Sequence, residues 1–73
     1  MIVEYGAKVM ERNGKVLGTV DHLAHNLSTG EISKFLVRRE WPEKNLFLSP
    51  DDVLEATENE MRLKLSFEEL SQR

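Results

Sequence analysis

The 73-residue chain contains no cysteine. A disulfide framework and a thiolate zinc cage are therefore excluded. Histidine occurs twice, proline twice, tryptophan and tyrosine once each. No apolar run approaches the roughly 20 residues that a membrane-crossing helix needs. The opening stretch, Met1-Ile2-Val3-Glu4-Tyr5-Gly6, lacks the basic-then-apolar order of a secretory leader, so the cytoplasm is the expected compartment. Basic excess is missing as well. Ten Lys and Arg stand against 13 Asp and Glu, a net charge of -3, which disfavours nucleic-acid binding by bulk charge. The four glycines are scattered, with neither G-x-G-x-x-G nor a phosphate loop among them. Ser28, Ser33, Ser49, Ser66 and Ser71 lack the flanking glycines of a nucleophile elbow.

What the chain does have is the makings of one small all-β domain. Its 40% hydrophobic and 32% charged residues set it apart from disordered chains. Turn signals recur between short apolar segments: Asn13-Gly14, Ser28-Thr29-Gly30, Trp41-Pro42, Ser49-Pro50 and Asn59-Glu60. A single core of this size leaves a thin stability margin, which association with a second copy would widen.

Asn13-Gly14 predicts a tight type I′ hairpin between Lys8-Val9-Met10-Glu11 and Lys15-Val16-Leu17-Gly18. Gly18, inside the second arm, implies a bulge or a close backbone approach. Val16 to Leu27 is long for one strand, and Val20 and Leu23 have opposite parity. A bulge between them would turn both inward. Ser28-Thr29-Gly30-Glu31 then reverses the chain. In the next strand, Ile32 to Arg39, Phe35 and Val37 share one face and Ile32 and Leu36 the other.

Trp41-Pro42-Glu43-Lys44 reads as a loop and Asn45 to Leu48 as a short apolar strand. Ser49-Pro50-Asp51-Asp52 has the cap, the proline and the acids of a helix start. One turn is expected, with Val53 to Glu58 resuming as strand; a short helix through Ala56 is the competing reading. Met61, Leu63 and Leu65 alternate with Arg62 and Lys64, after a turn at Asn59-Glu60. Ser66-Phe67-Glu68-Glu69 matches a capping box and opens a short C-terminal helix with Phe67 and Leu70 on one side. The expected fold is a single all-β domain over 1–73: a small closed or partly open β-barrel of about six strands, with a one-turn helix near Pro50 and the short terminal helix.

The order of these pieces resembles the PRC-barrel family. Gly6-Ala7-Lys8-Val9-Met10 is similar to its first strand. Asn13-Gly14-Lys15-Val16-Leu17-Gly18-Thr19-Val20-Asp21 resembles its G-x-x-[ILV]-G-x-V-x-D stretch. Ser28-Thr29-Gly30-Glu31-Ile32 looks like its x-T-G-x-[IV] turn, and Phe35-Leu36-Val37 like the strand after it. Leu48-Ser49-Pro50-Asp51-Asp52-Val53 resembles the [IL]-P-x-x-x-V segment, with one residue inserted before the proline. The resemblance covers Gly6 to Leu70. His25 and Asn26 depart from it, standing where the family usually has an aliphatic residue and often an acid. Members include the cytoplasmic part of the photosynthetic reaction-centre H subunit, the C-terminal domain of a ribosome-maturation protein, and short stand-alone chains. The resemblance implies a compact barrel and an adaptor-like role, with no catalytic residues to carry over.

The candidate residues divide into three groups. Ile32, Leu36, Leu46 and Leu48 are more apolar side chains than one small barrel interior should hold, although Phe67 and Leu70 could cover some of them. Any left exposed would invite a partner or a twin. Arg38-Arg39 with Trp41, near Lys34 and Lys44, forms the second group. It is a plain strand end with Trp41 over the barrel mouth, a protein contact, or a surface that stacks bases and holds phosphates. His22 and His25, beside Asp21, are the only imidazoles. A metal needs three or four ligands in fixed geometry, so a polar strand edge is the simpler reading and no metal or cofactor is expected. Asp51 and Asp52 are explained by the helix start. The function expected is therefore non-enzymatic: an interaction or assembly module, homodimeric or docked on a larger complex. The interaction residues expected are Ile32, Leu36, Arg38, Arg39, Trp41, Leu46, Leu48 and Phe67. The alternatives are RNA or ribosome binding through Lys34, Arg38, Arg39, Trp41 and Lys44, and metal or small-ligand sensing through the two histidines.

Overall fold

The computed structural model describes residues 3–72; Met1 and Ile2, at the head of the segment read for a leader, and Arg73 lie outside them. The elements are β1 (Lys8–Met10), β2 (Val16–His25), β3 (Ile32–Arg38), β4 (Leu46–Leu48), a one-turn 3-10 helix (Pro50–Asp52), β5 (Val53–Ala56), β6 (Glu60–Leu63) and α1 (Phe67–Ser71). The strands form one sheet in the order β4-β3-β2-β1-β6-β5. All neighbours pair antiparallel except β1 and β6, which are parallel. The sheet curls into a half-barrel around Val9, Val20, Phe35, Val37, Leu48, Met61 and Leu63, all buried. β4 and β5 do not pair with each other, so the barrel is the partly open kind.

The long second strand bends where its parity conflict requires. Val20 pairs with Val37 and His22 with Leu36, which leaves Asp21 as the extra residue of a bulge. Val20 is buried, and Leu23, half-buried, packs against the core beyond the bulge. A second irregularity places Ala24 opposite Lys34 but His25 opposite Ile32. Ser33 is the residue left over, and Ile32 packs against the core rather than on the face of Leu36. Parity within β3 could not show this, because the slip arises from the pairing.

The first hairpin forms at the expected place with a different turn. Glu11 N–H donates to the Lys15 carbonyl (2.8 Å), and Gly14 N–H to the Glu11 carbonyl (2.9 Å). Gly14 has φ +88°, while no residue other than glycine has positive φ among those described. A type I′ turn would need Asn13 there too, so the loop is the three-residue Arg12-Asn13-Gly14 form with glycine in the left-handed position. The β5–β6 turn likewise sits one residue earlier than expected, on Glu58-Asn59, because Thr57 closes it. Thr57 N–H donates to the Glu60 carbonyl (2.7 Å), and its Oγ1 accepts from Glu60 N–H (3.2 Å). β6 then ends at Leu63 rather than Leu65, since Leu65 gives its carbonyl to Arg12 N–H in the first hairpin loop.

The competing helix through Ala56 does not form: the turn at Pro50–Asp52 stops after three residues and β5 follows. Buried Asp52 holds that turn, its Oδ2 accepting from Ser49 N–H (3.0 Å). The terminal capping box is complete. Ser66 Oγ accepts from Glu69 N–H and Glu69 Oε1 from Ser66 N–H, both at 3.2 Å. Ser66→Ala removes one half of it and is expected to cost about 1 kcal/mol, read as a lowered urea midpoint with an unchanged slope. A midpoint equal to wild type would show that α1 contributes nothing to global stability.

Candidate interaction surface

The outer face of β2, β3 and β4 carries the side chains that the core does not absorb. Register aligns His22, Leu36 and Phe47 in one row across the three strands. Phe47, the middle residue of β4, must point opposite to Leu46 and Leu48. It is 62% exposed, whereas Leu48 is in the core and Leu46 packs against it. The supposed surplus of Ile32, Leu36, Leu46 and Leu48 thus shrinks to Leu36 on the outer face, and Phe47 joins it there. Phe47, expected within the short apolar strand, is not among the interaction residues expected from the sequence. The signal that would have found it is the strict alternation of a three-residue strand.

Arg38, Arg39, Trp41 and Lys44 border one shallow concavity, which Lys34 does not line, and their side chains are engaged differently. Lys34 stands over the Phe47 ring, its Nζ 5.0 Å from the centroid. Arg38 Nε lies 3.8 Å from Asp21 Oδ1, at the bulge. Arg39 turns inward: its side chain is only 13% exposed, pairs with Glu43 at 3.4 Å and lies over the Phe67 ring with Cζ 4.3 Å from the centroid. Its backbone N–H donates to Asn45 Oδ1 (2.9 Å), closing the loop. Arg39 and Phe67 therefore help to fasten the terminal helix. Lys44 is exposed.

Trp41 is 92% exposed, after which the chain makes a cis peptide to Pro42. It does not pack over the barrel mouth. With Glu43 salt-bridged to Arg39 and Asn45 tied to the same residue, the loop is held from its base and its aromatic tip has nothing beneath it. Trp41 shares this concavity with Arg38, Arg39, Glu43, Lys44 and Asn45. A second groove runs beside the free edge of β4, lined by Leu46, Phe47, Leu48, Phe67 and Leu70. Elsewhere Leu27, on the β2–β3 tip, and Leu54, on β5, are also exposed.

His22 and His25 both lie at the surface, His22 in the row with Leu36 and His25 opposite Ile32. Among the described residues no group of three or more His, Asp or Glu side chains is placed to hold a metal ion. No described helix is long and apolar enough to cross a membrane. No family model matches the chain, and no curated protein matches it.

Proposed function

We propose that the chain is a non-enzymatic protein-interaction or assembly module of the cytoplasm, self-associating or docked on a larger complex. The observation that carries this reading is the exposure of two aromatics with cations beside them: Trp41, next to Arg38 and Lys44, and Phe47, under Lys34. Tryptophan on a surface costs solvation unless something covers it, and it anchors binding energy when something does. The motif order shared with PRC-barrel domains, with the adaptor role it implies, agrees with the reading.

The test is recovery of partners with the tagged chain from its native cell. Trp41→Ala and Phe47→Ser should each weaken the recovered association about tenfold or more. Both should leave stability within about 0.5 kcal/mol, since neither side chain is in the core. Identical recovery by wild type and both variants would remove the surface from consideration.

The full exposure of Trp41 beside Arg38 and Lys44 also favours a second reading, a contact with single-stranded RNA. Affinity for ribosomal RNA fragments would then fall steeply with salt. No binding at low salt rejects it. The inward turn of Arg39 and the acidic total weigh against this reading.

A further inference from the structure

The two free edges of the sheet differ in character. β4 presents Phe47 and the apolar groove walled by Phe67 and Leu70. Its exposed cations are Lys34, on the neighbouring strand, and Lys44, just before β4; neither has an ion pair among the described residues. The opposite edge, β5, exposes Leu54, a bulge residue left over where Val53 pairs with Leu63 and Glu55 with Arg62. Glu55 on β5, Glu58 in the turn after it and Glu60 at the start of β6 are exposed and likewise without an ion pair among the described residues. Arg62 stands opposite Glu55 in the β5–β6 register, and Glu43, one residue before Lys44, is engaged by Arg39.

One edge is thus an apolar groove flanked by cations, and the other an exposed leucine on an acidic strand. Only Ser49 to Asp52 separates β4 from β5 in the chain, so both edges border the same open seam of the half-barrel. Two copies placed seam to seam bring β4 of each against β5 of the other. That arrangement uses the same contact twice and closes on itself, as a two-fold interface must. Unpaired strand edges supply backbone donors and acceptors for it.

We propose that a second copy of this chain is the occupant of the β4 groove, its β5 edge lying along β4 with Leu54 in the groove and Glu55 and Glu58 facing Lys34 and Lys44. The proposal rests on the interaction-module reading and names its partner. Strands of three and four residues make a small contact, so the dimer should be reversible over about 10 to 500 micromolar. Molar salt should weaken it, because the Debye length there is only about 3 Å.

Sedimentation of charge-reversed pairs tests this. Lys34→Glu with Lys44→Glu leaves both edges acidic; Glu55→Lys with Glu58→Lys leaves both edges basic. Each double variant alone should lose at least tenfold in self-affinity, and an equimolar mixture should recover a dimer. All four side chains are exposed, and unchanged circular dichroism confirms that each variant folds. A wild-type dimer that neither reversal weakens, or a mixture that stays monomeric while wild type dimerises, overturns the seam pairing and leaves self-association standing. A wild type that is monomeric throughout overturns both. Species larger than a dimer overturn the closed arrangement.

Discussion

Gly18→Ala is expected to lower the thermal midpoint by about 15 °C. Gly18 lies opposite Val9 in the β1–β2 pair, while the next residue, Thr19, pairs with Arg38 of β3. A methyl group at this position would overlap the Arg38 carbonyl oxygen, and would stand 3.0 Å from both the Arg38 carbonyl carbon and Val37 Cγ1. Space is the constraint rather than conformation, because Gly18 does not have positive φ. The obstructing atoms are backbone and a core side chain, neither of which can swing aside. Relief would require β2 and β3 to separate where Val20 and Val37 fill the interior.

Overpacking of this kind costs roughly 1–3 kcal/mol, and contact with paired backbone places it near the upper end. A domain of this length holds about 4–11 kcal/mol in total at 0.05–0.15 kcal/mol per residue. About 3 kcal/mol is a large share of that, and each kcal/mol moves the midpoint by about 4–8 °C in so small a domain. Gly14→Ala is the informative control. It meets open space but holds φ +88°, and should cost only about 1 kcal/mol of backbone strain. A Gly18→Ala protein as stable as the Gly14→Ala protein would mean that β2 and β3 are not held at this separation.

Gly18 also marks what could be read from the chain alone. Its position within an apolar strand announced a bulge or a close approach, and the β1–β2 register slips beside it while the Arg38 backbone comes close; the parity conflict between Val20 and Leu23 announced the bulge found at Asp21. Both are local signals whose physical demand is met within a few residues. The capping box at Ser66 and the single turn after Ser49 were legible for the same reason. The slip at Ser33 was not, because it depends on which residue of β2 faces which residue of β3. That hidden slip turned Ile32 toward the core and left Leu36 on the outer face without it.

The candidate surface was harder to read than the fold. Arg38, Arg39 and Trp41 are close in sequence and separate in role. Arg38 faces Asp21, Arg39 goes under the helix against Phe67, and Trp41 stands free. Charge and aromaticity predict that such residues will do something at a surface, but the loop's internal ties decide which of them reaches it. Phe47 escaped notice because a three-residue apolar strand shows no alternation of residue type, only of direction. The role of Glu11 left no trace in any local pattern, since its partner is far along the chain.

Glu11→Ala should cost about 2 kcal/mol and release α1 before the rest of the fold. The five-residue helix has no fully buried residue, and a helix of that length is not stable by itself. Its position depends on what ties it down. Phe67 and Leu70 pack against the core, and three further tethers are present. Arg39 stacks on Phe67. Arg12 pairs with Glu69 at 2.6 Å, with side chains 60% and 37% exposed. Glu11, only 7% exposed, accepts the Phe67 N–H on Oε1 at 2.7 Å. That N–H is one of the first-turn donors that no helical carbonyl can satisfy.

The exposed ion pair is worth at most about 1 kcal/mol. A buried hydrogen bond to a carboxylate is worth about 1.5–3 kcal/mol, so Glu11 outranks Arg12. Glu11→Gln keeps an oxygen acceptor and should lose about half as much as Glu11→Ala, while Arg12→Ala should lose less than either. The sharper readout is amide exchange. In the Glu11→Ala protein the Phe67 and Leu70 amides should exchange faster, while those of Val9 and Val20, in the paired centre of the sheet, stay protected relative to them. An Arg12→Ala protein less stable than the Glu11→Ala protein, or uniform loss of protection across sheet and helix, would assign the anchoring of α1 to another contact.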